Sequence, residues 1–356
     1  MRRMWPDAEL PMPADPGGDL CAAPSRDVLG ECPLWDDARG VLWWIDIRAP
    51  ALRCFRPLAL PAGSPEVAVQ AQTPSDLDGL KPGEVRSWPL PHLVGSIALT
   101  NDPQGRLLMA LGRHLVLFDP QAANHAQAGK AADSSSELPS VGRRTGAFET
   151  LTEVDFQDTN HRFNDGRCDP AGRFWVGSMN NITRGPEGRM FRYDTGSGLQ
   201  EFPHLAAGLR IPNSLAFSPD GRTMYFADSL DHAIRALTYD PATGEPGPAR
   251  AFADMAPPTF PDGSCIDAEG GLWNTRFHGS CVVRHAPDGQ VDRVITLPVR
   301  RPTCCAFGGP DLSTLYVTTT SQHMSDAERA AEPLAGALLA LQVGCKGLPE
   351  SRFALQ

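Results

Sequence analysis

The amino-acid sequence predicts an all-β protein: a six-bladed β-propeller whose four-stranded blades surround a central channel. Three observations carry this expectation. One hairpin pattern recurs six times: an apolar run, a turn rich in Asp, Pro and Gly, then a second apolar run. The later repeats follow one another at roughly 40 to 50 residues, the length of a four-stranded propeller blade. Long helical periodicity is absent, and SDAERAAEPL from Ser325 is the best, and short, helical candidate.

The hairpins run in order as PLWDDARGVLWWID from Pro33, IALTNDPQGRLLMAL from Ile97, GRCDPAGRFWVGSM from Gly166, LAFSPDGRTMYFADS from Leu215, CIDAEGGLWNT from Cys265 and CAFGGPDLSTLYVTT from Cys305. Val, Ile, Phe, Trp and Tyr flank each turn, as strand pairs require. Trp35, Trp43 and Trp44 read as packing between blades. A sandwich would not need the same hairpin six times, whereas hairpins that cannot bury their faces alone stack around an axis. Two stretches account for the wider early spacing. Residues 61–90 are rich in Pro, Gly and Ser, and 121–145 are small and polar, so both are expected to be long surface loops. The expected organisation is an N-terminal extension at 1–26, poorly ordered in part, one propeller domain at 27–345, and a C-terminal tail at 346–356.

Composition narrows the function classes. Hydrophobic residues make up 41% and charged residues 21%, which is ordinary for a globular protein. No run of about 18 apolar residues offers a membrane span, and MRRMWPDAELPMPADPGG lacks the apolar core of a signal peptide. A net charge of -10 disfavours a nucleic-acid partner. The nine cysteines include no C-x-x-C pair, so they read as reduced, mostly buried thiols in a cytoplasmic protein. No partner chain is implied beyond a monomer or weak oligomer.

Aligning the six turns locates a candidate site. The residue five positions before each turn is Glu31, Ile97, Asn164, Asn213, Asp262 or Thr303. Four of these carry a carboxylate or amide oxygen. Equivalent positions in a propeller lie on one circle about the axis, so Glu31, Asn164, Asn213 and Asp262 are expected to converge at the channel mouth. Two carboxylates and two amides form a hard-oxygen set. That favours Ca²⁺, Mg²⁺ or Mn²⁺, while Zn²⁺ and Fe²⁺ also accept carboxylates. The channel is therefore expected to bind one divalent metal ion, with coordination positions open to water or substrate.

The segments LGECPLWDDARGVLWWIDI, RFNDGRCDPAGRFWVGSM, IPNSLAFSPDGRTMYFADS and FPDGSCIDAEGGLW together resemble the family of senescence marker protein (regucalcin), gluconolactonase and luciferin-regenerating enzyme. The resemblance runs from about residue 27 to about residue 342. It implies a propeller with one catalytic divalent metal and hydrolysis of a small sugar lactone. By motif it implies Glu31, Asn213 and Asp262 as metal ligands, with Arg162 and Asn164 facing the substrate. Two departures stand out: Cys32 follows Glu31 where Gly or Ser is usual, and Asn180-Asn181-Ile182 stands where regucalcin places acidic residues.

The expected chemistry is opening of an aldonolactone to its acid, of the gluconolactonase, xylonolactonase or arabinonolactonase kind. The metal is expected to stabilise the oxyanion and Asp262 to act as general base. Arg162 is a fixed donor toward the lactone. Asp165 is expected either to orient Arg162 or to cap its loop. His161 and His278 read as ordinary polar residues near the mouth. The alternatives are phosphotriester or arylester hydrolysis on the same metal, and a calcium-binding propeller without turnover.

Overall fold

The computed structural model describes residues 20–58, 80–129, 137–205 and 207–355. The chain forms six antiparallel sheets arranged as a six-bladed β-propeller. Blade 1 runs outward through Gly30–Asp36, Val41–Asp46, Ala51–Phe55 and Val85–Pro89. Blade 2 comprises Val94–Leu99, Leu107–Leu111, His114–Phe118 and Phe148–Glu153, with the two-residue strand Arg144–Thr145 at its edge. Blade 3 comprises His161–Cys168, Phe174–Asn180, Met190–Asp194 and Gly198–Glu201. Blade 4 comprises Pro212–Phe217, Thr223–Asp228, Ala233–Asp240 and Glu245–Asp254. Blade 5 comprises Phe260–Ile266, Leu272–Phe277, Cys281–His285 and Val291–Thr296. Blade 6 combines Pro302–Gly308, Thr314–Thr319 and Leu338–Gln342 with Cys21–Ala23 from the other end of the chain. That last pairing closes the ring, so part of the expected N-terminal extension belongs to the propeller; residues 1–19 lie outside the described residues.

The predicted turns share one device. In five hairpins an Asp or Ser carbonyl accepts the amide of a positive-φ glycine: Asp36 and Gly40, Asp102 and Gly105, Asp169 and Gly172, Ser218 and Gly221, Asp267 and Gly270. Glycine adopts that left-handed backbone without the Cβ clash other residues suffer. The inner and second strands are almost wholly buried, because each blade packs one face on each neighbour. Trp35 stacks on Tyr316 between blades 1 and 6, and the Trp43 ring lies 5.6 Å from that of Trp88.

Two segments differ from the sequence expectation. The stretch at 61–90 ends in Leu80, buried in the core, and in Val85–Pro89, the outer strand of blade 1; residues 59–79 lie outside the described residues. Only Trp88 of that strand is buried, so it shows no clear alternation. The stretch at 121–145 begins within the helix Pro120–Gly129, whose Asn124 accepts from the Trp88 indole at 2.9 Å. Asp119 starts this helix by accepting the Gln121 and Ala122 amides. The expected short helix is present as Asp326–Ala331, with a capping box between Ser325 and Glu328.

Residues 346–355 form a strap across the underside, where the hairpin turns lie. Lys346 O accepts the Ala268 amide, Gly347 N–H donates to Leu312 O, and Phe353 pairs with Thr100 and is fully buried. Glu350 forms an ion pair at 2.8 Å with Arg167, which projects from the inner strand of blade 3. The channel is thereby occupied from below, and its open end is the one at which the inner strands begin.

Candidate functional site: an acidic ring under a cationic mouth

All six inner strands lose register with their second strands at one level. The slips fall between Glu31 and Leu34, Val94 and Ser96, Phe163 and Gly166, Asn213 and Ala216, Pro261 and Ser264, and Pro302 and Cys304. A bulge bends a strand and re-aims its side chains. Here it turns the expected ring positions toward the axis. Glu31 and Asn213 are each followed by a non-glycine residue with positive φ, Cys32 (φ 50) and Ser214 (φ 64). That geometry accounts for the small residue usual after Glu31. Cys32 fits because its thiol accepts the Ile97 amide at 3.4 Å. At Asp262 the next residue is Gly263, where an added Cβ would lie 2.2 Å from the Cys304 sulfur.

Glu31, Arg162, Asn164, Asn213 and Asp262 all line one cavity of about 100 Å³ at the open end. Its wall also includes Met179, Ile211, Phe260 and Phe277. A hydrogen-bond chain fixes the ring. Arg162 Nη1 donates to Asn164 Oδ1 at 2.7 Å, and Asn164 Nδ2 donates to Asn213 Oδ1 at 3.2 Å and Pro212 O at 2.8 Å. Asn213 Nδ2 donates to Ser229 Oγ at 2.8 Å, and Ser229 Oγ donates to Pro261 O at 2.7 Å. Ser214 Oγ donates to Asp262 O at 2.5 Å. Amide nitrogens thus face the scaffold. The Asn213 oxygen turns inward, while the Asn164 oxygen is taken up by Arg162.

The carboxylates are poorly compensated. Glu31 accepts only the Cys32 amide at 3.3 Å, and the Asp262 carboxylate accepts no hydrogen bond among the described residues. Burial, then the charge of Asp165, pushes Glu31 up to about 8. Burial, then Glu31 and Asp165, holds Asp262 well above the usual carboxylate range. Anionic groups without donors are costly to enclose. An inward amide oxygen and two such carboxylates fit a hard divalent cation.

Asp165 takes neither expected role. Its Oδ2 accepts the Leu215 amide at 2.9 Å, tying blade 3 to blade 4, and its charge faces the ring acids and Arg167. Arg162 is oriented instead by Asn164, by Phe163 O at 2.8 Å and by Asn181 Oδ1 at 3.2 Å. Asn181, one of the unusual amides after the VGSM strand, thus holds an arginine. His161 does not line the cavity. It stacks on Phe156 and shares a hydrogen bond with Ser178. His278 is absent from the cavity wall, although its neighbour Phe277 contributes.

The sequence reasoning missed Arg48, Arg184, Arg301, Gln322 and His323, which all line the mouth. Arg48, Asn181, Arg184 and Gln322 follow the ends of second strands in blades 1, 3 and 6, so carrying the turn alignment one strand further would have found them. A separate group, Asp267, Glu269 and Cys345, lies at the underside; its Asp267 is already engaged by Trp273 and Arg284. All nine cysteines are free thiols. Among the described residues no helix is long and apolar enough to cross a membrane.

Fold and site together define a propeller with a carboxylate-and-amide centre at the open end of its channel. Residues 29–321 match the model of the SMP-30/Gluconolactonase/LRE-like region, and the chain belongs to that family. It is 33% identical over 336 residues to a 6-deoxy-6-sulfogluconolactonase of Pseudomonas putida, covering 94% of this chain and 98% of the relative. It is 34% identical over 337 residues to an L-arabinolactonase of Azospirillum brasilense, covering 93% and 94% respectively. Among solved structures it is similar to regucalcin of Agrobacterium tumefaciens, described as a calcium-binding protein, with a TM-score of 0.76, 28% identity, and coverage of 95% and 98%.

Proposed function

We propose that this protein hydrolyses a sugar lactone to its open-chain acid, with one divalent cation held by Glu31, Asn213 and Asp262. It is an enzyme of the lactonase class, a hydrolase of lactone esters, as its relatives are by name. The observation that carries the reading is the convergence of two poorly compensated carboxylates, Glu31 and Asp262, with the Asn213 amide and the Arg162 guanidinium in one cavity. The hard donor set suits Ca²⁺, Mg²⁺ or Mn²⁺, with Zn²⁺ and Fe²⁺ also served by carboxylates.

Hydrolysis adds water to the carbonyl carbon and then breaks the bond from that carbon to the ring oxygen. The bound cation supplies positive charge that polarises the carbonyl and offsets the developing oxyanion. On this reading Asp262 takes the proton of the attacking water, and the conjugate acid returns a proton to the departing ring oxygen. Arg162 directs donors at the lactone from a wall that Asn164 and Asn181 hold rigid. Met179, Phe260 and Phe277 supply the apolar sides.

The test is a pH-drop assay on gluconolactone, xylonolactone and arabinonolactone, with paraoxon as the phosphotriester control. Each is run with chelator and after reconstitution with Ca²⁺, Mg²⁺, Mn²⁺, Zn²⁺ or Fe²⁺. Lactone opening restored by a cation supports the reading; cleavage of paraoxon alone, or no turnover with any cation, overturns it. Asp262→Asn should lower lactone turnover at least about 100-fold, and a retained full rate would remove Asp262 as base.

A further inference from the structure

We propose that the preferred substrate is an anionic lactone, one whose distal carbon bears a sulfonate, phosphate or carboxylate group that seats among Arg48, Arg162, Arg184 and Arg301. This deepens the lactonase reading and rests on it.

The whole chain carries a net charge of -10, yet four guanidinium groups line this one cavity. They come from separate parts of the fold: the turn after the second strand of blade 1, the inner strand of blade 3 and the loop after its second strand, and the residue before the inner strand of blade 6. Among the described residues, the carboxylates on the same wall are Glu31 and Asp262, in the ring where the cation is proposed. With those two committed to the cation, no carboxylate of that wall remains for the Arg48 and Arg162 guanidinium groups.

Contacts of the arginines point the same way. Arg162 is buried, and its hydrogen bonds go to neutral oxygens of Asn164, Asn181 and Phe163. Arg48 places its Nε out of solvent with no acceptor among the described residues. Arg301 Nη1 donates to the carbonyl of Gln322, a further neutral oxygen. Burial, then the charges of Arg48 and Arg184, push the Arg162 guanidinium down to about 9, and Arg48 likewise lowers Arg184 after burial. Cations that repel one another around a small cavity are relieved by an anion inside it. A neutral sugar offers hydroxyls, which match planar guanidinium forks less well than a tetrahedral or carboxylate anion does.

The experiment compares kcat/KM on the cation-reconstituted enzyme for gluconolactone and for its 6-sulfonate, 6-phosphate and C6-carboxylate counterparts. The three anionic arms distinguish the source of the charge. At least one should exceed the neutral lactone by about tenfold or more, as expected for charge-assisted contacts, and the advantage should shrink with added salt. Arg48→Gln and Arg184→Gln should lower the anionic-to-neutral ratio about 10- to 100-fold, chiefly through KM. A neutral lactone preferred over all three anions, or a ratio unmoved by both variants, overturns the proposal. Calorimetric titration with 6-phosphogluconate keeps the two readings separate. If no lactone opens, the lactonase reading fails, and binding that weakens in Arg48→Gln still supports the anion seat. Absence of binding overturns the seat as well.

Discussion

Glu31→Gln should stabilise the metal-free protein, although it removes a proposed metal ligand. Burial and the nearby Asp165 raise Glu31 from 4.5 to about 8 in the folded protein. Between those values the folded chain retains a proton that the unfolded chain has released. Stability attributable to Glu31 therefore falls as pH rises from about 4.5 to about 8 and is flat above. At roughly 1.4 kcal/mol per pH unit, the full span is about 5 kcal/mol, and about 3 kcal/mol is lost by pH 7. Gln keeps an oxygen for the Cys32 amide and never ionises. Urea denaturation of both proteins in chelator, at pH 5, 6, 7 and 8, isolates the effect as a difference between variants. That difference should be near zero at pH 5 and grow to about 3–5 kcal/mol in favour of Gln at pH 8. A cation at about 100 times its Kd should then return about 2.7 kcal/mol to the wild type and far less to the variant. A variant less stable than wild type at pH 8 in chelator, or a difference independent of pH, would refute the argument that burial and the charge of Asp165 hold Glu31 protonated in the folded chain.

Other consequences follow from the same contacts. Asn164→Ala releases both Arg162 Nη1 and Asn213 Oδ1; kcat/KM on the lactone should drop about 10- to 100-fold with weaker cation binding, measured by kinetics and metal titration. Phe353→Ala should cost about 3–5 kcal/mol in denaturant unfolding, since the ring is fully buried against Tyr193. A loss below about 1 kcal/mol would mean that the strap contributes little to the core. Gly263→Ala should destabilise by about 1–3 kcal/mol and impair turnover, because the new methyl meets Cys304 beside Asp262.

The ring was legible because two local features keep a fixed distance in each blade. An Asp or Ser starts each of five turns, and the register slip lies a few residues upstream. Counting back from a turn therefore reaches the same level of the channel in every blade. That count could not separate the roles of the ring residues. Asn164 and Asn213 look alike in sequence, but the Asn164 oxygen accepts from Arg162 while the Asn213 oxygen accepts from Asn164. The outer strand Val85–Pro89 was hidden because an edge strand buries one side chain and so loses its period of two. The helix Pro120–Gly129 was hidden by small polar residues with little apolar stripe. The strap was hidden for another reason: Phe353 is a lone apolar residue whose burial depends on side chains that blades 2 and 3 bring together. The mouth arginines sit in loops, where no periodicity marks them.

Charge at the open end is layered, and the layering constrains how a substrate enters. The acids Glu31, Asp165 and Asp262 gather on the inner strands, where burial raises the proton affinity of all three, Asp165 further raises that of Glu31 and Asp262, and Glu31 further raises that of Asp262. The arginines stand at the wall and in the loops above, where Arg48 and Arg184 depress Arg162. Each layer is unfavourable by itself, and each is relieved by a partner of opposite sign. On the proposed reading, a cation would satisfy the lower layer and an anionic substituent the upper one. Arg162 spans both, since it feels Glu31 from below and Arg48 from above. A lactone carrying its charge on the distal carbon meets this arrangement in one orientation, carbonyl toward the ring and anion toward the mouth. Reversing it would bring the anion against Glu31 and Asp262 and leave the upper guanidiniums facing only hydroxyls. On the proposed reading, this separation of charge directs the scissile carbonyl toward Asp262.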